Sequence, residues 1–110
     1  NSLAAFDPAA LAHYRNYFAD PCHISAACAD YRAAWFVDSS HDHEDMRHNR
    51  KIRCPTLTMW GQAHVTDRRW THKTWHAFAP EAQDVFIDSG HFLPEEAPAE
   101  TAAALIQFFT

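Results

Sequence analysis

Glycine is almost missing from this sequence: 110 residues contain only Gly61 and Gly90. Each directly follows a strand-like run, so the two mark tight turns at strand ends, where positive φ or close backbone approach is needed. Basic residues are also few, nine Lys and Arg against fourteen Asp and Glu, for a formal charge of −5. A surface that grips phosphates needs clustered Lys and Arg, so nucleic acid is not an expected partner. The one basic cluster, Arg47–Arg53, is broken by His48, Asn49 and Ile52 and reads as a solvated connection. No apolar run approaches the ~20 residues of a membrane span, so no membrane partner is expected. Cysteine is limited to Cys22, Cys28 and Cys54, without metal-type spacing, and three thiols cannot all pair within the chain. Free thiols in a reducing cytoplasm are the simplest account. The chain has neither an initiating Met nor a signal-peptide pattern. It opens on Asn1-Ser2 and enters helix-like sequence at once, like the middle of a longer polypeptide.

What is present is a normal globular composition, 47% hydrophobic, enough for one ordinary domain or part of a larger one. Asp7-Pro8 opens a first helix, with Asp as N-cap and Pro at the first helical position. Leu11, Tyr14, Arg15 and Phe18 follow at helical spacing. Asp20-Pro21 repeats the start signal, and Ile24, Ala27, Cys28, Tyr31, Ala34 and Trp35 form a second stripe. The two make a helical hairpin over residues 1–38. A polar, partly helical connection, 39–53, is expected next. From Cys54 the period changes: Cys54–Gly61 reads as a strand with Pro55 near its start, and Gln62–Thr71 as a polar loop. Trp70–Ala79 reads as a helix with Trp70, Thr74, Trp75 and Phe78 on one side, stopped by Pro80. Strand Gln83–Asp88 and helix Ala97–Phe109 complete a strand–helix–strand–helix pattern over 54–110, which implies a parallel sheet. Two strands alone would leave both edges and faces open. The expected class is therefore α/β: a helical hairpin followed by the last two strand–helix units of a larger α/β protein.

Chemistry is concentrated in Asp84–Pro98, DVFIDSGHFLPEEAP. A short strand ends at Asp88-Ser89-Gly90, His91 follows directly, and Pro94, Glu95 and Glu96 suit a helix's first turn. Ligands and catalytic groups of open α/β sheets collect in the loops leaving the carboxyl ends of strands. A histidine there is poised for proton transfer near neutral pH. The residues alone leave equally open a loop histidine with no task.

Taken together, AFDPAALAHYRNYFADP (Ala5–Pro21), CADYRAA (Cys28–Ala34), the strand running into Trp60-Gly61, and SGHFLPEEAPAET (Ser89–Thr101) resemble the α/β-hydrolases. Within that superfamily they are most similar to the fluoroacetate and haloacetate dehalogenases. The resemblance implies the carboxyl-terminal portion of an α/β-hydrolase fold, its last two parallel strand–helix units preceded by a helical hairpin from the cap. It also implies a reaction. An aspartate displaces halide from the substrate carbon, and water activated by a histidine hydrolyses the ester, with a second acidic residue orienting the imidazole. A carboxylate is a competent nucleophile at neutral pH, whereas the second step needs an oriented base of pKa near 7. The family's base corresponds to His91. One of the groups around the leaving halide, a tyrosine, corresponds to Tyr31. Without the resemblance, Tyr31 reads as a ring packed in the stripe with Ile24 and Cys28. The implied partners are a small halogenated carboxylic acid and the missing amino-terminal half of the same fold, with a homodimer left open and no cofactor.

The sequence departs from the complete pattern. The nucleophilic aspartate, the carboxylate-binding arginines and the halide-binding histidine and tryptophan are expected upstream of Asn1. Many α/β-hydrolases carry their acid three residues after a glycine such as Gly61, and here that position is His64, with Asp67 three further on. This chain alone is expected to be inactive. Among nine histidines, His72 and His76 are one helical turn apart and could hold zinc if His64 and Asp67 converged on them. His41, His43 and His48 lie close together in the connection. No Cys-x-x-Cys or His-Glu-x-x-His pattern accompanies them, and no metal site is expected. Ser39, Ser40 and Ser89 lack a nucleophile-elbow context. Glu95 and Glu96 need no catalytic explanation, and Trp60, Trp70 and Trp75 read as core or crossover packing. Apolar faces around Leu57, Met59, Phe86 and Ile87 are expected to be exposed if the piece stands alone. Other α/β-hydrolase chemistry, on esters or epoxides, and a truncated non-catalytic binding or dimerisation segment are the alternatives.

Overall fold

The structure, a computed structural model, describes residues 3–63 and 68–110. The chain forms two compact units: Phe6–Arg50, and Lys51–Thr110 together with the short amino-terminal segment.

The first unit is helical, for reasons written into two Asp-Pro pairs. Asp7 caps α1 (Pro8–Tyr17), its Oδ1 accepting from the amides of Ala9 at 2.9 Å and Ala10 at 3.0 Å. Asp20 does the same for α2 (Pro21–Ala33), accepting from the Cys22 amide at 2.8 Å. Each cap satisfies first-turn donors that have no partner inside the helix, and proline at N1 removes one such donor outright. The corner between them is fixed by Tyr17 and His23, whose rings stack at 3.8 Å with an interplanar angle of 3°. Beyond α2 the backbone widens into a π turn, Ala34–Asp38, and continues as α3 (Ser39–Arg47). The polar connection is thus helical over most of its length. Asn49, at φ 52°, takes the left-handed conformation that ends a helix. None of these helices contains a fully buried residue.

The second unit carries the sheet. β1 (Leu57–Gly61) and β2 (Gln83–Ile87) pair in parallel, with Leu57 opposite Gln83 and Gly61 opposite Ile87. α4 (Arg68–His76) lies between them in sequence, and α5 (Leu93–Glu96) and α6 (Pro98–Phe109) follow. Several boundaries differ from expectation. β1 begins three residues later than Cys54, because Pro55 has no N–H and Thr56 Oγ1 donates back to the Cys54 carbonyl at 3.1 Å. α4 begins two residues before Trp70, and the chain leaves it in a closing turn in which the Ala79 amide donates to the Trp75 carbonyl at 2.8 Å. Pro94, Glu95 and Glu96 belong to a separate one-turn helix rather than to the last one. Ala97, at φ −143° and ψ 63°, breaks the two apart, since proline at 98 disfavours a helical conformation at the preceding residue.

The core is small. Among the described residues, Ala79, Ile87 and Ala97 are the buried apolar ones, with Thr58, Thr71, Ser89 and Thr101 as buried polar companions. The faces expected to be exposed are not: Leu57, Met59 and Phe86 are half-buried, and Ile87 is 4% exposed. The exposed apolar surface is instead on the helices, including Tyr31, Trp35, Phe36, Trp70, Ile106 and Phe109. Trp70 and Trp75 are exposed rather than packed, whereas Trp60 is half-buried and donates from Nε1 to Thr58 Oγ1 at 2.9 Å. A two-stranded sheet has too little apolar face to cover more.

Candidate functional site

The loop leaving β2 is held by three devices, each readable from the residues upward. The first is the meeting of the two glycines. A Cβ on Gly61 would stand 1.8 Å from the Gly90 carbonyl oxygen, so the end of β1 and the loop after β2 touch backbone to backbone. Close approach, not positive φ, is what Gly61 uses; neither glycine has a positive φ. The second device extends the pairing past the strand ends. The Gln62 amide donates to the Ile87 carbonyl at 2.8 Å, and the Ala63 amide donates to the Ser89 carbonyl at 3.0 Å. Ser89 is buried there as a turn residue, in keeping with its sequence context.

The third device is Glu96. Its carboxylate accepts from the Gly90 amide at 2.7 Å and from the Phe92 amide at 3.1 Å, bracketing His91 from both sides. These two backbone donors hold the Glu96 carboxyl below its ordinary value, and the nearby His91 contributes in the same direction. Sequence reasoning misses this role, because Glu96 reads as a first-turn residue satisfied by the helix. The five-residue step from His91 to Glu96, closed by a one-turn helix and Pro98, is the signal that could have found it.

Within this frame His91 sits four residues beyond the end of β2, on the carboxyl-terminal side of the strand. It is exposed, and its ring meets Phe92 edge-on at 5.0 Å. α5 and α6 back the loop: Thr101 Oγ1 donates to the Leu93 carbonyl at 3.0 Å, and the Ala97 amide donates to the same oxygen at 2.9 Å. An exposed imidazole on a loop with so many backbone restraints can accept a proton from a water without losing its place.

Tyr31 lies on α2, in the helical unit, and is 80% exposed. The stripe expected to hold it with Ile24 and Cys28 does not enclose it; both of those residues are exposed as well. Tyr31 and His91 therefore belong to different units of the chain. His64 and Asp67 lie outside the described residues. Cys22, Cys28 and Cys54 are free, exposed thiols. His72 and His76 do converge on a third side chain, Asp84 of β2, which sequence spacing does not nominate. Among the described residues, no helix is long and apolar enough to cross a membrane.

No family model matches the chain. It is 31% identical over 106 residues to a fluoroacetate dehalogenase of Burkholderia sp., a match covering 96% of this chain and 34% of that protein. Among solved structures it is similar to a protein of Nostoc sp. PCC 7120 described as an α/β hydrolase. That match has a TM-score of 0.88 and 42% identity, and covers all of this chain and 38% of the other. It is also similar to a protein of Pseudomonas aeruginosa described as an epoxide hydrolase, with a TM-score of 0.84 and 32% identity, over 96% of this chain and 35% of the other. A variant of that protein holds a small molecule, MFA. The chain thus spans about a third of the length of the relatives it matches. Parallel strands joined through a helix, the glycine-tight loop after the last strand, and these likenesses along nearly its whole length place the chain in the α/β-hydrolase superfamily, where it fits the carboxyl-terminal portion of the fold and resembles the fluoroacetate dehalogenases in sequence.

Proposed function

We propose that this chain is part of a hydrolase of the haloacetate dehalogenase type, in which His91 is the general base. A carboxylate supplied by the rest of the fold attacks the halogen-bearing carbon of a small halogenated carboxylic acid. The carbon–halogen bond breaks, halide leaves, and an ester remains. His91 then takes a proton from a water whose oxygen attacks the ester carbonyl. The tetrahedral intermediate collapses, the departing alkoxide takes the proton back from His91 and leaves as a hydroxy acid, and the enzyme's carboxyl gives its proton to solvent to become a carboxylate again. Tyr31 is proposed to donate to the departing halide, where negative charge develops. No cofactor is required by this scheme, and a cytoplasmic setting suits the three free thiols. The observation that supports the reading most directly is the exposed imidazole of His91, bracketed by two amides that Glu96 holds.

The test is fluoride release from fluoroacetate by the full-length protein. Wild type turns over, whereas His91→Gln releases at most one equivalent and retains a covalent ester detectable by intact mass. Unaltered turnover in that variant removes His91 from its role. The likeness to the Pseudomonas protein favours epoxide hydrolysis as a second reading. Diol formation from an epoxide, with no fluoride released from fluoroacetate, would select it.

A further inference from the structure

α4 and β2 bring together three potential ligands that the proposed hydrolysis does not use. His72 and His76, one turn apart on α4, both point at Asp84, the second residue of β2. His72 Nδ1 lies 2.7 Å from Asp84 Oδ2, and His76 Nε2 lies 3.2 Å from the same oxygen. The three ligand atoms all fall within 4.8 Å of one another.

His76 Nδ1 lies 3.1 Å from the Pro80 carbonyl oxygen, which can only accept, so Nδ1 carries a hydrogen. Nε2 is thereby the ring atom turned toward Asp84 Oδ2, the position from which an imidazole and a carboxylate can share one cation. The surroundings suit a cation. Thr58 Oγ1 donates to Asp84 Oδ1 and is itself held by Trp60 Nε1, which leaves Oδ2 directed at the two imidazoles. A ring N–H donated to a backbone carbonyl and a carboxylate fixed from behind are the outer contacts that orient metal ligands.

We propose that His72, His76 and Asp84 form a binding site for a divalent transition metal of the zinc class, completed by water. Metal–ligand bonds of about 2.0–2.1 Å in tetrahedral geometry put ligand atoms roughly 3.3 Å apart. The His76–Asp84 pair, at 3.2 Å, already has that spacing, whereas the more exposed His72, at 2.7 Å from Oδ2, would have to draw back to admit the ion. Asp84 pairs in register with Thr58, near the amino-terminal ends of both strands, whereas His91 follows the carboxyl-terminal end of β2. The ion would therefore clamp the crossover helix to the sheet, and nothing in the proposed hydrolysis depends on it.

The experiment is calorimetric titration of the chelator-stripped full-length protein with Zn²⁺ alone, repeated with Co²⁺ to read its visible absorption. Wild type is expected to bind one equivalent saturably at this site, with the intense bands of low-coordinate Co²⁺. Asp84→Asn, or His72→Ala at an exposed side chain where misfolding is not a concern, weakens binding by at least about tenfold. His48→Ala, on the separate helical unit, leaves it unchanged. The proposal is overturned if wild type shows no saturable binding, or if Asp84→Asn and His72→Ala bind as wild type does. In either case the cluster is an ion-paired contact between helix and strand.

Discussion

Single residues carry the loop around His91, and their effects are separable. Gly61 has no room for a side chain, since any Cβ meets the Gly90 carbonyl. Gly61→Ala must push two backbones apart, and we expect a loss of about 1–3 kcal/mol in denaturant unfolding. Glu96 sets the acid sensitivity of the same loop. A carboxyl whose folded pKa lies below its ordinary 4.5 stabilises fully above that value and loses its contribution as pH falls through the folded pKa. The amide proton shifts of Gly90 and Phe92 should therefore titrate together with a midpoint below 4.5, and Glu96→Gln should abolish that titration. Tyr31, with its ring almost fully open, can be tested without disturbing a core. Tyr31→Phe is expected to lower turnover of the full-length protein on the order of 10²-fold if its hydroxyl donates to halide, and to leave unfolding unchanged.

Among the elements, those with local signals are legible in the sequence. α1 and α2 begin where Asp7-Pro8 and Asp20-Pro21 place them, because capping is a contest settled within four residues. Asp7→Ala and Asp20→Ala are each expected to cost about 1 kcal/mol, read as reduced helicity by circular dichroism and a lower melting temperature. Elements governed by distant contacts are less legible. The apolar pattern Trp70, Thr74, Trp75, Phe78 suggests which side of α4 is covered. The side that meets β2 instead carries His72 and His76, because Asp84 is there to receive them. The division of the last helical segment into α5 and α6 is also hidden, although Pro98 supplies a local reason for it.

The whole molecule is two units with a modest core and much apolar surface on its helices. Two paired strands are marginal as a free-standing sheet, and Trp70, Ile106 and Phe109 are left largely open. The 110-residue chain is expected to bind an apolar dye such as ANS with a rise in its fluorescence; no rise would mean that these helices are covered in solution. The sequence by itself determined the order of elements, both capped helix starts, the parallel strand–helix alternation and the position of His91 after the last strand, because each depends on neighbours a few residues away. Only the tertiary structure decided that Gly61 and Gly90 touch, that Glu96 brackets His91, and that Asp84 completes a group with His72 and His76. Those contacts join residues on separate elements, and their distances are set by strand register and helix placement, which no local pattern encodes.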